Sequence, residues 1–164
     1  MKHIPHFYPL ILCLLYASLI SPGCNKPKPD LSKELEALAS LQKQEQTAHL
    51  QEEPAPLVNM LNDTLTQVKN GEVSYFTKDQ MTERFIRYFE GVEFFKWEDI
   101  QSPVYSISED ATMAQILIQK LVVVNDVSGT EPIRDTTRFA WTELWKKKEG
   151  LWKMYQVTST DVRP

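Results

Sequence analysis

Two alternating runs near the C-terminus carry the densest apolar signal in the chain. Phe139, Trp141, Glu143 and Trp145 share one parity; Lys147, Lys148, Glu149 and Gly150 form a polar break; Trp152, Met154, Gln156 and Thr158 then alternate with Lys153, Tyr155 and Val157. Alternation on both sides of a short Gly-containing turn predicts an antiparallel hairpin. Its three tryptophans bring more apolar area than a surface ribbon needs, so other elements must cover it.

The upstream pattern supplies those elements. Asp30 is a good N-cap, and Leu31, Leu35, Leu38 and Leu41 form a helical stripe that continues into Glu45, Ala48 and His49, predicting a first helix from Leu31 to about Gln51. Pro54 and Pro56 end it and open a short second helix through Leu57, Val58, Met60 and Leu61. Asn70-Gly71 between Thr66-Gln67-Val68 and Val73-Ser74-Tyr75 predicts a hairpin. Thr77-Lys78-Asp79-Gln80 is a capping box opening a third helix with Met81, Phe85, Tyr88 and Phe89 inward and Gly91 at its close. Strands follow over 92–100, 103–108 and 112–124, the last with Ile116, Ile118, Val122 and Val124 on one parity, and a polar loop over 125–132 precedes the final hairpin. Helices first and an antiparallel sheet afterwards is an α+β order. A strongly twisted sheet with about three helices on its concave face makes a cone, whose mouth is a natural pocket for a small molecule.

The N-terminus follows a different pattern. Leu10 to Ile20 is apolar apart from Ser18, 11 residues behind a start whose charge comes from Lys2 and the terminal amine. A bilayer span takes roughly 20 residues, so this length fits a secretory signal. Cys24 after Gly23 resembles the acceptor cysteine of a bacterial lipoprotein, with Ser21 standing where the usual motif has Leu. The organisation expected is a signal peptide over 1–23, a proline-containing tether over 24–30 behind a lipidated Cys24, and one domain over 31–164. The protein is then exported and lipid-anchored to a bacterial membrane in the cell envelope, several acyl chains giving a firm hold where one is marginal. The plainer alternative is an exported protein with a spare thiol.

Composition narrows the chemistry. Beyond the leader 17 basic residues face 22 acidic ones, a net charge of −5, and the one basic run, Lys146–Lys148, sits at a turn. Nucleic acid, which wants a clustered basic face, is not expected as a partner. Cys13 belongs to the leader, and a lone Cys24 forms no internal disulfide. One Cys and one His remain after the leader, too few for a zinc-type site, so neither metal nor cofactor is expected.

The segments WEDIQSPVYSISEDATMA (Trp97 to Ala114), AWTELW (Ala140 to Trp145) and EGLWKM (Glu149 to Met154), in the order helix, short helix, hairpin, helix and long curved sheet, resemble the nuclear transport factor 2-like superfamily, its SnoaL-like members in particular. The resemblance spans roughly Leu31 to Thr160 and rests on order and spacing together. It implies a cone-shaped fold and a homodimer through the outer face of the sheet. It implies no single function, because members include isomerases, cyclases, hydratases and non-catalytic binding domains. Its steroid isomerases use an Asp base with a Tyr and a second Asp as donors, a trio that finds no assigned positions here.

Candidate site residues follow from facing. His49 is the one histidine beyond the leader and the one side chain that titrates near neutrality unaided. Glu45 lies four residues earlier on the same face, and a Glu oriented on a His is a workable general base; the alternative is a helix end emerging into water. Glu143 shares parity with three aromatics, where a carboxylate is either buried with a raised pKa or set at the rim. Trp97, Trp141 and Trp152 are pocket candidates for a flat apolar ligand or, alternatively, plain core. Gln156 and Thr158 on the last strand and Tyr88 on the third helix are candidate polar contacts, and a one-residue register change would reverse any strand assignment. The function expected is a membrane-tethered, non-catalytic module binding a small apolar molecule or an envelope protein. The alternatives are an isomerase, cyclase or hydratase using a Glu45–His49 base, and a purely structural dimer.

Overall fold

The computed structural model describes residues 28–162. The expected signal peptide over 1–23, most of the expected tether and Cys24 lie outside the described residues. Three helices come first: α1 (Leu31–Leu50), α2 (Pro54–Met60) and α3 (Lys78–Glu90), with the hairpin β1 (Leu61–Lys69) and β2 (Glu72–Thr77) between the last two. Four long strands complete the chain: β3 (Val92–Ile107), β4 (Met113–Asp126), β5 (Ile133–Lys148) and β6 (Leu151–Val162). They form one curved six-stranded sheet in the order β2-β1-β6-β5-β4-β3. All neighbours are antiparallel except β1 and β6, which run parallel. The fold is α+β, with the helices against the concave face.

Local chemistry sets the boundaries. The Asp30 carboxylate accepts from the Ser32 and Lys33 amides at the start of α1. The Thr77 hydroxyl accepts from the Gln80 amide while the Gln80 side chain accepts from the Thr77 amide, the reciprocal pair of a capping box. Two hairpins close through two-residue turns, Asn70-Gly71 and Glu149-Gly150, all four residues at φ between 53° and 81°. That left-handed pair matches the twist of the flanking strands.

The two strands expected over 92–100 and 103–108 are one strand, β3, with register shifts along it. Pro103 does not end it, because β3 is an edge strand and the missing N–H faces no partner there. The inward face of α1 is Leu38, Gln42, Glu45, Ala48 and His49, whereas Leu31 and Leu35 keep over a third of their surface exposed. The main core joins Leu38 to Trp97 on β3, Ile116 and Ile118 on β4, and Trp141 and Trp145 on β5. Trp145 and Leu38 are fully buried.

Candidate functional site

The concave face holds a polar cluster beneath α1 and, beside it, an apolar cavity. Even-numbered positions of β4 and odd-numbered positions of β5 point inward, as the buried Ile116, Ile118, Trp141 and Trp145 show. Glu143 sits between the last two and is fully buried. Trp141 Nε1 donates to Glu143 Oε1 at 2.7 Å, and Trp145 Nε1 and Gln42 Nε2 donate to Oε2 at 2.9 and 2.6 Å. The tryptophans that flank Glu143 in sequence therefore also solvate its charge.

Glu45, buried one turn after Gln42, pairs with Glu143. Its pKa is pushed well above the ordinary carboxylate range, first by burial and then by the neighbouring Glu143 charge. Burial also raises Glu143, but its indole and amide donors pull it down. Glu45 Oε2 meets no hydrogen-bond donor among the described residues. Two carboxyls in contact hold one proton best when the better-solvated member keeps the charge. Glu143 has three N–H donors, so Glu143 is the carboxylate and Glu45 the neutral acid donating to it.

His49 stacks on Trp97, ring centroids 3.7 Å apart and planes 11° from parallel, with Phe89 and Phe94 edge-on. Its Nδ1 lies 2.9 Å from the Glu45 main-chain oxygen. A carbonyl only accepts, so Nδ1 carries the proton and Nε2 keeps its lone pair. Burial lowers the imidazole pKa to about 4, assisted by the Lys120 charge and opposed by the bond to the carbonyl; the ring is neutral at pH 7. The Glu45–His49 base pair, the alternative drawn from the sequence, does not form as a side-chain dyad. The imidazole engages the main chain, because an i−4 carbonyl lies within its reach, and the Glu45 carboxyl turns to Glu143.

A second buried charge completes the cluster. Lys120, almost wholly buried, pairs with Asp99 on β3 at 2.5 Å. It occupies the same inward parity as Ile118 and Val122. Lys120, Asp99 and Gln42 were not among the residues singled out from the sequence. Among the described residues no group of three or more His, Cys, Asp or Glu side chains is placed to hold a metal ion.

The cavity has a volume of about 630 Å³, within the range of small-molecule sites. Glu45 and His49, both buried, line its deep side; Met60, Leu65, Phe85 and Val157 are among its apolar walls; the exposed Tyr88, Arg84 and Arg87 and the half-buried Lys69 stand toward its mouth. Burial, with the Asp135 charge adding, pushes the Tyr88 hydroxyl up to about 12, so it stays protonated.

Of the pocket candidates only Tyr88 lines this cavity. Trp97 and Trp141 are packed 5.9 Å apart behind it as core. Trp152 is buried where its indole donates to Glu34 at 2.9 Å, beside a separate surface groove. Gln156 and Thr158 face outward. The pairing of β5 with β6 shifts between Leu144–Gln156 and Trp145–Met154, leaving Tyr155 as the extra residue. That bulge moves inward facing from Met154 to Val157.

No family model and no curated protein matches the sequence. Solved structures match the fold. A ketosteroid isomerase-like protein from Erwinia carotovora atroseptica aligns over 80% of this chain and 98% of its own, with 16% identity and a TM-score of 0.65. A nuclear transport factor 2-like protein of unknown function in nutrient uptake from Rhodospirillum rubrum aligns over 76% and 98%, with 19% identity and a TM-score of 0.58. A nuclear transport factor 2-like protein from Cytophaga hutchinsonii aligns over 78% and 98%, with 16% identity and a TM-score of 0.59. The chain has the nuclear transport factor 2-like fold.

Proposed function

We propose that this nuclear transport factor 2-like domain is a binding module for a small apolar molecule, held at a bacterial membrane surface by lipid on Cys24 after export. The observation that carries the binding reading is the cavity of about 630 Å³ with apolar walls and, at its deep side, two neutral polar groups, Glu45 and His49. Apolar walls supply affinity by desolvation; a few convergent polar groups fix orientation. The unpartnered Glu45 Oε2 and the His49 Nε2 lone pair are both acceptors, so they suit an uncharged hydroxyl that donates, and a charge brought to that depth would lose its water beside the Glu45–Glu143 pair. The anchor rests on the Gly23-Cys24 junction behind an apolar leader of signal length. A homodimer through the outer sheet face belongs to the same proposal.

The test is titration with 1-aminoanthracene, a neutral apolar fluorophore, against the protein and Val157→Trp, which sets an indole into the cavity. Saturable binding lost in the variant, with its circular dichroism unchanged, supports the reading; no saturable binding to the unaltered protein overturns it. For the anchor, Cys24→Ala is expected to move the protein from the membrane to the soluble fraction. Equal membrane retention in the variant would refute lipidation.

A second reading is enzymatic. The Glu45–Glu143 pair holds one proton at the cavity wall, and an acid–base step would need the Glu45 hydroxyl to turn from Glu143 to the substrate and the proton to return to the pair within the same turnover. Turnover of a bound carbonyl compound, abolished by Glu45→Gln without loss of binding, would place the domain among enzymes.

A further inference from the structure

The charges around the cavity are distributed against the chain's overall balance. The full chain carries a net charge of −4, yet the cavity lining includes three cations, Lys69, Arg84 and Arg87, and one acid, Glu45. Glu45 is the neutral member of the Glu45–Glu143 pair, so the lining presents positive charge alone. All three cations stand toward the mouth. A smaller groove continues from it past Lys69 and Arg84 to Glu72.

Two of these cations are held in place. The Arg84 guanidinium lies over the Phe76 ring at 4.3 Å, and the Lys69 ammonium lies 5.7 Å from the centre of the Phe139 ring, itself a cavity wall. Stacking on a ring fixes a cation while leaving its N–H donors available. Lys69 also pairs with Asp161 at 2.9 Å, and Arg87 is 3.9 Å from the exposed Glu83. Arg84 has no carboxylate within ion-pair distance among the described residues. It occurs on α3 three residues after Met81 and one before Phe85, in the stripe that faces the cavity.

We infer that the ligand is an amphipathic anion: one apolar body in the cavity and an anionic head, carboxylate or phosphate monoester, at the mouth on Arg84, with Lys69 and Arg87 adding field. This rests on the binding reading above and names its ligand class. The orientation follows from charge. An anionic head at the deep side would be desolvated against Glu45, which shares one proton with the buried, charged Glu143 behind it, whereas at the mouth it stays partly hydrated and meets a planar donor that matches two oxygens at once. The cavity has room for a single tail or a small ring system.

The experiment is displacement of bound 1-aminoanthracene by four compounds with the same tail: decanoate, decyl phosphate, 1-decanol and decylamine, at pH 7.5 in low salt. Decanoate or decyl phosphate is expected to displace at a concentration at least tenfold below that of decanol, with decylamine weaker than decanol. Which anion leads identifies the head, and either order supports the inference. Arg84→Met keeps the apolar stem and removes the guanidinium; it is expected to cut the decanoate-to-decanol ratio below threefold. Lys43→Met, on an exposed position of α1 away from the cavity, should leave that ratio at its starting value. Equal potency of the anions and decanol in the unaltered protein, or a ratio untouched by Arg84→Met, would overturn the inference while leaving the binding reading intact. Failure of every tail to displace the fluorophore would overturn both.

Discussion

Replacing each carboxyl of the buried pair by its amide has opposite expected consequences, because one carries the charge and the other the proton. In Glu143→Gln the three N–H donors from Trp141, Trp145 and Gln42 face one remaining acceptor oxygen and an amide NH2. At least one buried indole N–H loses its acceptor, which costs about 1–3 kcal/mol, and the surviving bonds lose the added strength, again about 1 kcal/mol each, that an ionised acceptor gives. Relief from burying a charge offsets part of this. The net destabilisation is about 2–4 kcal/mol. In Glu45→Gln a neutral amide replaces a neutral acid of nearly the same shape and donates to Glu143 as the acid hydroxyl did, so the change stays within about 1 kcal/mol, as for other near-isosteric swaps.

Urea unfolding followed by tryptophan fluorescence reads this difference where it arises. With a slope of about 1–3 kcal/mol per molar urea, Glu143→Gln should lower the midpoint by on the order of 1–2 M while Glu45→Gln leaves it nearly in place. The pH dependence gives a second reading. Glu45 has a folded-state pKa raised above its unfolded value, so the stability it contributes is complete below the ordinary carboxylate pKa and is lost as pH rises through the folded one. Glu45→Gln should remove that decline. Equal losses in the two variants, or a larger loss in Glu45→Gln, would refute the assignment of charge to Glu143.

His49 works in the other direction. Its pKa is lowered from 6.5 to about 4, so its contribution is present above 6.5 and lost as pH falls toward 4, worth on the order of 3 kcal/mol; stability curves of His49→Gln should be flatter over that interval, and an unchanged slope would argue that the ring meets water. For the Lys120–Asp99 pair, removing the partner of a buried charge costs about 3–5 kcal/mol. Asp99→Asn, which strands the buried ammonium, should therefore cost more by thermal unfolding than Lys120→Met, whose remaining carboxylate is about one-third exposed; the reverse order would refute the burial argument.

The fold was legible from the sequence because its signals are local. Capping at Asp30 and Thr77, the Asn70-Gly71 turn and the parity of Phe139 through Trp145 each depend on neighbours a few residues apart. Facing failed where the chain departs from strict alternation. The bulge at Tyr155 exchanges Gln156 and Thr158 for Val157, and no property of those side chains announces it. Lys120 was visible in principle: it interrupts Ile116, Ile118, Val122 and Val124 on their own parity, and a lysine inside a buried alternation must find a counter-charge. Asp99 could not be named as that partner without the β3–β4 register. Glu143 could be placed on the aromatic face, but its pairing with Glu45 depends on how α1 crosses the sheet, which periodicity does not encode. The tryptophans follow the same rule, since their abundance implied a core, and the indole N–H partners of Trp141, Trp145 and Trp152 came only with three dimensions.

Native mass spectrometry of residues 28–164 as purified, repeated after denaturation, tests most directly whether the cone holds a ligand. The expected result is a reproducible extra mass on the native protein, released on denaturation and absent from Val157→Trp. Its acid–base behaviour should be that of an amphipathic anion. The native protein at its bare chain mass, together with no saturable uptake of decanoate, decanol or 1-aminoanthracene, would contradict a working pocket.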